Sequence, residues 1–240
     1  MSPKELTYKI AKLEKELAEL KNLDNQIPSF SYSKITKDDL KKIFKLEREF
    51  DKSIFDNWFN SNLELSKDDT SFLEELLKKE IDFIQIYKEE DLKIKFLSPL
   101  LNRIDFKVGH KIRDFYEEIL IYETEKFRFN GTTDFLISYG FEKAEKPYFF
   151  IQEFKKGVEY SNPEPQLLAE MIAGLELSNL KIIKGAYIVG AIWNFVILEK
   201  VERASYRYTI SQNFDSTDLE KLKLIYKNLL FIKSEILEMV

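Results

Sequence analysis

The chain has 240 residues, 44% of them hydrophobic and 14% aromatic, which is ample for one packed main domain with an appendage. It has no cysteine and a single histidine, His110. That excludes a disulfide framework, a thiolate nucleophile, a cysteine-based zinc site and a multi-histidine metal centre, and leaves little room for a Ser-His-Asp triad. The formal net charge of −5 argues against indiscriminate binding to polyanions, although a local basic groove stays compatible with it.

No run of 18 or more apolar residues occurs and the N-terminus lacks a signal-peptide core, so the expectation is a cytoplasmic protein with no membrane partner. His110 lies in the polar stretch KVGHKIR and reads as a surface residue.

Residues 1–24 read as a charged helix. Leu6, Ile10, Leu13, Leu17 and Leu20 are spaced 4, 3, 4, 3, an a/d heptad seam that suits a second copy or a partner helix. The bland alternative is an amphipathic helix docked on its own domain. Residues 25–35 read as a linker, because Pro28 and three serines break the pattern. The remaining residues, 36–240, form the main domain.

From residue 36 to about 87 the apolar spacing predicts helices. Thr36-Lys37-Asp38-Asp39 starts one, carrying Leu40, Ile43, Phe44 and the stretch 46–50; Ser66 to Thr70 starts another, with Phe72, Leu73, Leu76, Leu77, Ile81 and Ile84 on its face. Glu75 or Glu80 is a candidate to turn inward; the other acids read as a solvated face. Residues 96–106 read as an apolar connection broken by Pro99. Residues 111–125 then predict a first strand.

Two further strands follow, over residues 127–139 and 148–155. The first has turn chemistry at Asn130-Gly131 and Asp134 entering Phe135-Leu136-Ile137; the second is YFFIQEFK. Side chains two apart in a strand share a face, so Glu153 and Lys155 point one way and Phe154 the other. If the strands pair, Asp134 sits beside Glu153. Two carboxylates and a backbone carbonyl such as that of Phe154 suit a hard cation, Mg2+ or Mn2+. Such a cation polarises a phosphoryl oxygen and acidifies a bound water, and a lysine can orient that water or balance the growing charge. The competing reading is a structural salt bridge, because Glu-x-Lys is cheap in this chain and recurs at Glu19 to Lys21.

After a loop at residues 157–164, a helix is predicted from about Pro165 with Leu167, Leu168, Met171, Ile172 and Leu175 on one face. Gln166 at its start either reaches the carboxylates or caps the helix. Residues 184–199 read as one strand buried on both faces, residues 204–210 as a flanking strand, and Asp218 as the cap of a C-terminal helix. The fold class expected is α/β: a mixed central sheet flanked by helices.

Asp134, then Glu153-x-Lys155 nineteen residues on, in strand–strand–helix–strand order, resembles the PD-(D/E)XK nuclease superfamily, over residues 65–208. The resemblance implies a restriction-endonuclease-like core, Mg2+ or Mn2+ on Asp134 and Glu153, assistance to the attacking water by Lys155, and phosphodiester hydrolysis, in DNA by first expectation. Gln166 falls where several families of that superfamily carry a helical glutamine. Thr133 stands where many members have proline. The superfamily also includes proteins that keep the fold without cutting, so the alternative is a non-catalytic module that binds nucleic acid or protein and self-associates through residues 1–24. A two-carboxylate glycoside hydrolase fits less well, since it needs no lysine. A basic groove would draw on Arg103, Lys107, Lys111, Arg113, Arg128, Lys155, Lys156, Lys181 and Lys184.

Overall fold

The computed structural model of the chain describes residues 27–155 and 162–239, together with 9, 10, 12–14, 16 and 17. Of the heptad positions, Ile10, Leu13 and Leu17 are helical and about half exposed, while Leu6 and Leu20 lie outside the described residues.

The architecture is α/β, a mixed nine-stranded sheet flanked by helices. Strands β1 (Ser29–Ser31) and β2 (Lys45–Glu49) flank helix α1 (Lys37–Ile43); α2 (Asp56–Phe59) and α3 (Lys67–Ile84) follow. Helix α4 (Glu89–Leu92) runs through a π turn at Lys93–Leu97 into α5 (Ser98–Ile104). Then come β3 (Ile112–Glu123), β4 (Arg128–Tyr139), β5 (Glu145–Lys155), α6 (Pro163–Ser178), β6 (Ile182–Val189), β7 (Ile192–Glu202), β8 (Ser205–Ile210), β9 (Phe214–Asp215) and α7 (Leu219–Glu238).

Strands β3, β4 and β5 form an antiparallel meander, and α6 carries the chain over to β6, parallel to β5. Strands β6, β7 and β8 continue antiparallel, and β2 closes that edge parallel to β8. Strand β1 pairs parallel with the first residues of β4, within the segment expected to be a linker.

Helix α6 is the centre of one face. The Asn162 side chain accepts the Glu164 N–H as N-cap, prolines occupy the first turn, and Asn179 ends the helix in the left-handed region at φ 53°. Pro163 and every residue from Pro165 to Leu175 are buried. An apolar run without a polar side is what a helix enclosed by its own domain requires. Around it lie Leu40 and Phe44 from α1, Phe115 and Leu120 from β3, Leu136, Ile151, Val196 and Tyr208. On the opposite face α3, α5 and α7 bury Leu73, Leu77, Leu100, Ile225 and Leu229 against Phe135, Phe150 and Phe195. Capping agrees with the sequence at three helices: Thr36 with Asp39, Ser66 with the Asp69 N–H, and Asp218 with the N–H groups of Glu220 and Lys221.

Three further stretches differ from expectation. Most of the stretch 46–50, predicted helical, lies in β2 (Lys45–Glu49) instead: Phe44 is extended and ends α1, and from there buried Phe44 and Leu46 alternate with exposed Lys45 and Glu47, a two-residue period. The residues around Pro99 form a helix and not an irregular connection, because Pro99 falls in the first turn of α5, where no backbone donor is needed. The run 184–199 is a hairpin and not one strand; Gly190, at φ 59°, makes the turn between β6 and β7. No helix among the described residues is long and apolar enough to cross a membrane.

Gly185 shows how tightly α6 sits on the sheet. A Cβ there would lie 2.7 Å from the Ile151 carbonyl oxygen and 2.9 Å from the Met171 sulfur. The carbonyl belongs to the β5–β6 ladder and cannot move aside. Gly185→Ala is therefore expected to destabilise the fold by about 1–3 kcal/mol, read as a lower denaturant midpoint; an unchanged midpoint would contradict this seating of α6.

Candidate active site

Asp134 lies where β4 loses both neighbours. On one side the β4–β5 ladder runs through Leu136↔Ile151 to Phe135↔Gln152 and stops, leaving Asp134 across from Glu153. On the other side, Tyr116↔Phe135 and Glu118↔Thr133 pair, but Glu117, opposite Asp134, is skipped and has φ 52°. A non-glycine residue in that region costs roughly 1–2 kcal/mol, so the break is held by surrounding structure. Where β5 leaves β4, the Phe154 N–H donates to Asp134 Oδ2 at 2.8 Å, which satisfies a donor the ladder no longer serves.

Glu153 and Lys155 project on the same face and are hydrogen-bonded to each other through Glu153 Oε1, with Phe154 in the opposite core, as the two-residue period requires. Lys155 Nζ also donates to the Phe154 carbonyl at 2.9 Å. Glu153 is fully buried and its Oε2 has no hydrogen-bond partner. Burial, then the charge of Asp134, push its carboxyl up to about 9, against the pull of Lys155. For Lys155 burial favours the neutral amine, but Glu153 and Asp134 outweigh it and hold the ammonium above its ordinary value.

Two residues complete the cluster that sequence reasoning did not select. Glu170, one turn beyond Gln166 on α6, is fully buried; its Oε1 accepts from Gln166 Nε2 at 3.2 Å and its Oε2 has no partner. Burial and the nearby Glu153 charge raise its carboxyl well above the ordinary range. Lys93, in the π turn, donates to Asp134 Oδ1 at 2.8 Å and to Glu117 at 3.2 Å, with Glu90 at 3.6 Å and Glu89 at 3.7 Å. Glu170 had a signal in the sequence, a lone acid inside LLAEMIAGL, four residues after Gln166. Lys93 had none, since only the π turn aims it across the sheet end.

The fold thus brings Asp134, Glu153, Lys155 and the Phe154 carbonyl together. Gln166 joins through Glu170; Asn162, not Gln166, caps the helix. Glu75 is exposed, and Glu80 is buried but bonded to Tyr87, away from the cluster. Among the described residues, Lys155 is the only one of the proposed groove cations that touches the cluster. Lys184 lies on the other face, bound to Glu235 and beside Trp58, Arg103 pairs with Asp69 at 3.0 Å, and Lys156 lies outside the described residues.

Two carboxylates and a carbonyl are the oxygen donors a hard divalent cation takes, and the unpartnered, buried Glu153 Oε2 fits such a ligand. Among the described residues no group of three or more acidic or histidine side chains is arranged around a common metal position. The reason is local. Both Asp134 oxygens are engaged, by Lys93 and the Phe154 N–H, and Glu153 Oε1 by Lys155. In this arrangement Lys93 and Lys155 occupy carboxylate oxygens that a cation would take.

Comparison with models of known protein families gives no match, and none of the curated proteins matches the chain. What can be said of the site follows from its own geometry.

Raised carboxyl values make stability pH-dependent with a definite sign. Folded Glu153 and Glu170 retain protons that the unfolded chain releases at the ordinary glutamate value, about 4.3, so the folded state binds more protons above it. The contribution of these two groups to stability is most favourable below that value and falls as pH rises toward 9. Glu170→Gln, which keeps shape and removes one such group, should make the fall shallower in urea unfolding at pH 5, 7 and 8.5. An identical slope in the variant would show that Glu170 is not one of the groups responsible.

Proposed function

We propose that the protein is a metal-dependent nuclease that hydrolyses phosphodiester bonds, with DNA as its substrate. One observation carries the reading: Asp134 and Glu153 face each other across the point where β4 and β5 part, with Lys155 bonded to Glu153 on the same face. The order helix, three antiparallel strands, crossover helix and a further strand parallel to the third supports a restriction-endonuclease-like core of the PD-(D/E)XK type.

In this reading Asp134, Glu153 and the Phe154 carbonyl hold Mg2+ or Mn2+, which supplies Lewis-acid polarisation and an acidified water when bound. Lys155 holds the attacking water in line and offsets negative charge gathering on the phosphate. Glu170, held by Gln166, adds a third buried carboxyl close enough for the Glu153 charge to raise it. Lys93 holds Asp134 in place through Oδ1 and also has Glu117, Glu90 and Glu89 within 4 Å, so its charge would stay compensated with a cation bound at Asp134. Copies associate through the heptad of residues 1–24, whose Ile10, Leu13 and Leu17 are about half exposed.

A second reading is favoured by the engagement of both Asp134 oxygens: a non-catalytic module of the same fold that binds nucleic acid or protein, in which the cluster is a buried ion network. The two separate on metal affinity and cutting. Plasmid and single-stranded DNA should be cleaved with Mg2+ or Mn2+ and spared with EDTA. Asp134→Asn, Glu153→Gln and Lys155→Ala should each lose roughly 100-fold or more in rate while keeping the wild-type circular dichroism spectrum. If calorimetry detects no Mn2+ binding and no cutting is seen, the ion-network reading stands instead.

A further inference from the structure

At the far end of α6 from Gln166 lies a second concave site, a cavity of about 690 Å³ between the β3–β4 turn, the end of α1 and the β7–β8 turn. That volume is in the range of small-molecule sites, roughly 300–1,000 Å³. Glu176 on its wall follows Glu170 by six residues, about 9 Å along the helix axis, and no residue of the carboxylate cluster lines the cavity.

Its floor is aromatic. The ring of Phe44 meets Phe127 at 5.3 Å and Tyr206 at 5.1 Å, both nearly perpendicular, and Tyr122 stands 5.7 Å from Phe127. Glu176 fixes this floor, since it accepts the Tyr206 hydroxyl and holds Lys200 at 2.8 Å. The lining carries four cations, Lys42, Lys126, Lys200 and Arg203, against two acids, Glu125 and Glu176, an excess of two positive charges. A chain with a net charge of −5 concentrates positive charge here. Lys42 lies 3.6 Å from Asp39 and Lys200 is held by Glu176, but Lys126 and Arg203 form no ion pair among the described residues and are exposed at the rim.

An aromatic floor beneath unpaired cations selects a ligand that is planar at one end and anionic at the other. We propose that this cavity binds a phosphate-bearing nucleotide, its base against the partly exposed Tyr122, which the buried Phe127 and Tyr206 rings back, and its phosphate between Lys126 and Arg203. Neither half suffices alone: the rim cations are solvated without an anchored ligand, and the floor offers a bare base little orientation. The inference is independent of whether the Asp134 cluster cuts DNA.

The test is calorimetry on the full chain in EDTA, which keeps metal-dependent binding at the carboxylate cluster out of the signal, with AMP, adenosine and inorganic phosphate as probes. AMP is expected to bind at least about tenfold more tightly than adenosine or phosphate. The double variant Lys126→Ala/Arg203→Ala should weaken AMP roughly tenfold or more with no change in Tm, because neither side chain is buried or paired. A 5′-phosphorylated oligodeoxynucleotide tells the two sources of this chemistry apart. Tighter binding than AMP identifies a strand end as the ligand, and equal binding a free nucleotide. AMP that binds no more tightly than inorganic phosphate, or equally well to the double variant, overturns the proposal.

Discussion

The rest of the candidate site depends on the burial of two glutamates, Glu153 and Glu170, beneath one helix. Taking a carboxylate out of water is costly unless its charge is neutralised or its oxygens are bonded. Here each glutamate has one oxygen bonded, by Lys155 or Gln166, and one without a partner. Glu153, Glu170 and Asp134 all share the surroundings of Lys155. Such an arrangement does little for stability compared with apolar packing of the same volume. It keeps titratable carboxyl groups in a dry place where gaining or losing a proton, or adding a cation, has a large effect.

The same helix explains the placement. Because α6 is enclosed by strands on one side and by α1 and β3 on others, only Glu164 in its first turn and the residues after Leu175 are less than fully buried. Polar residues on α6 are therefore confined to its two ends or committed to a purpose inside. Gln166 and Glu170 meet the break in β4, and Glu176 meets the aromatic cavity. One crossover helix thus reaches both the carboxylate cluster, at Glu170, and the aromatic cavity, at Glu176, about 9 Å further along its axis.

Breaks in hydrogen-bonded ladders also determine which groups are available. Asp134 sits at a double interruption, with the β5 ladder ended and Glu117 out of register. An uninterrupted sheet would direct the Phe154 N–H into its ladder and leave Asp134 as one more buried acid. The π turn does the corresponding work from the helical side by turning Lys93 toward the sheet end.

Sequence alone determined the local part of this protein. Caps at Thr36, Ser66 and Asp218, the meander of three strands, the crossover helix and the shared face of Glu153 and Lys155 all follow from spacings of two to four residues. That Asp134 lies near Glu153 was also legible, because adjacent antiparallel strands joined by a short connection have few possible registers. Tertiary structure decided the rest. Whether residues 46–50 form a strand depends on β8, more than 150 positions away; which acid joins Glu153 depends on how α6 rotates on the sheet; and Lys93 reaches Asp134 only across a sheet edge. The cavity gathers α1, two hairpin turns and the end of α6, whose residues have no common motif in the chain. Local backbone preference is written into neighbouring residues, whereas convergence of distant side chains is set by packing, which no short stretch of sequence contains.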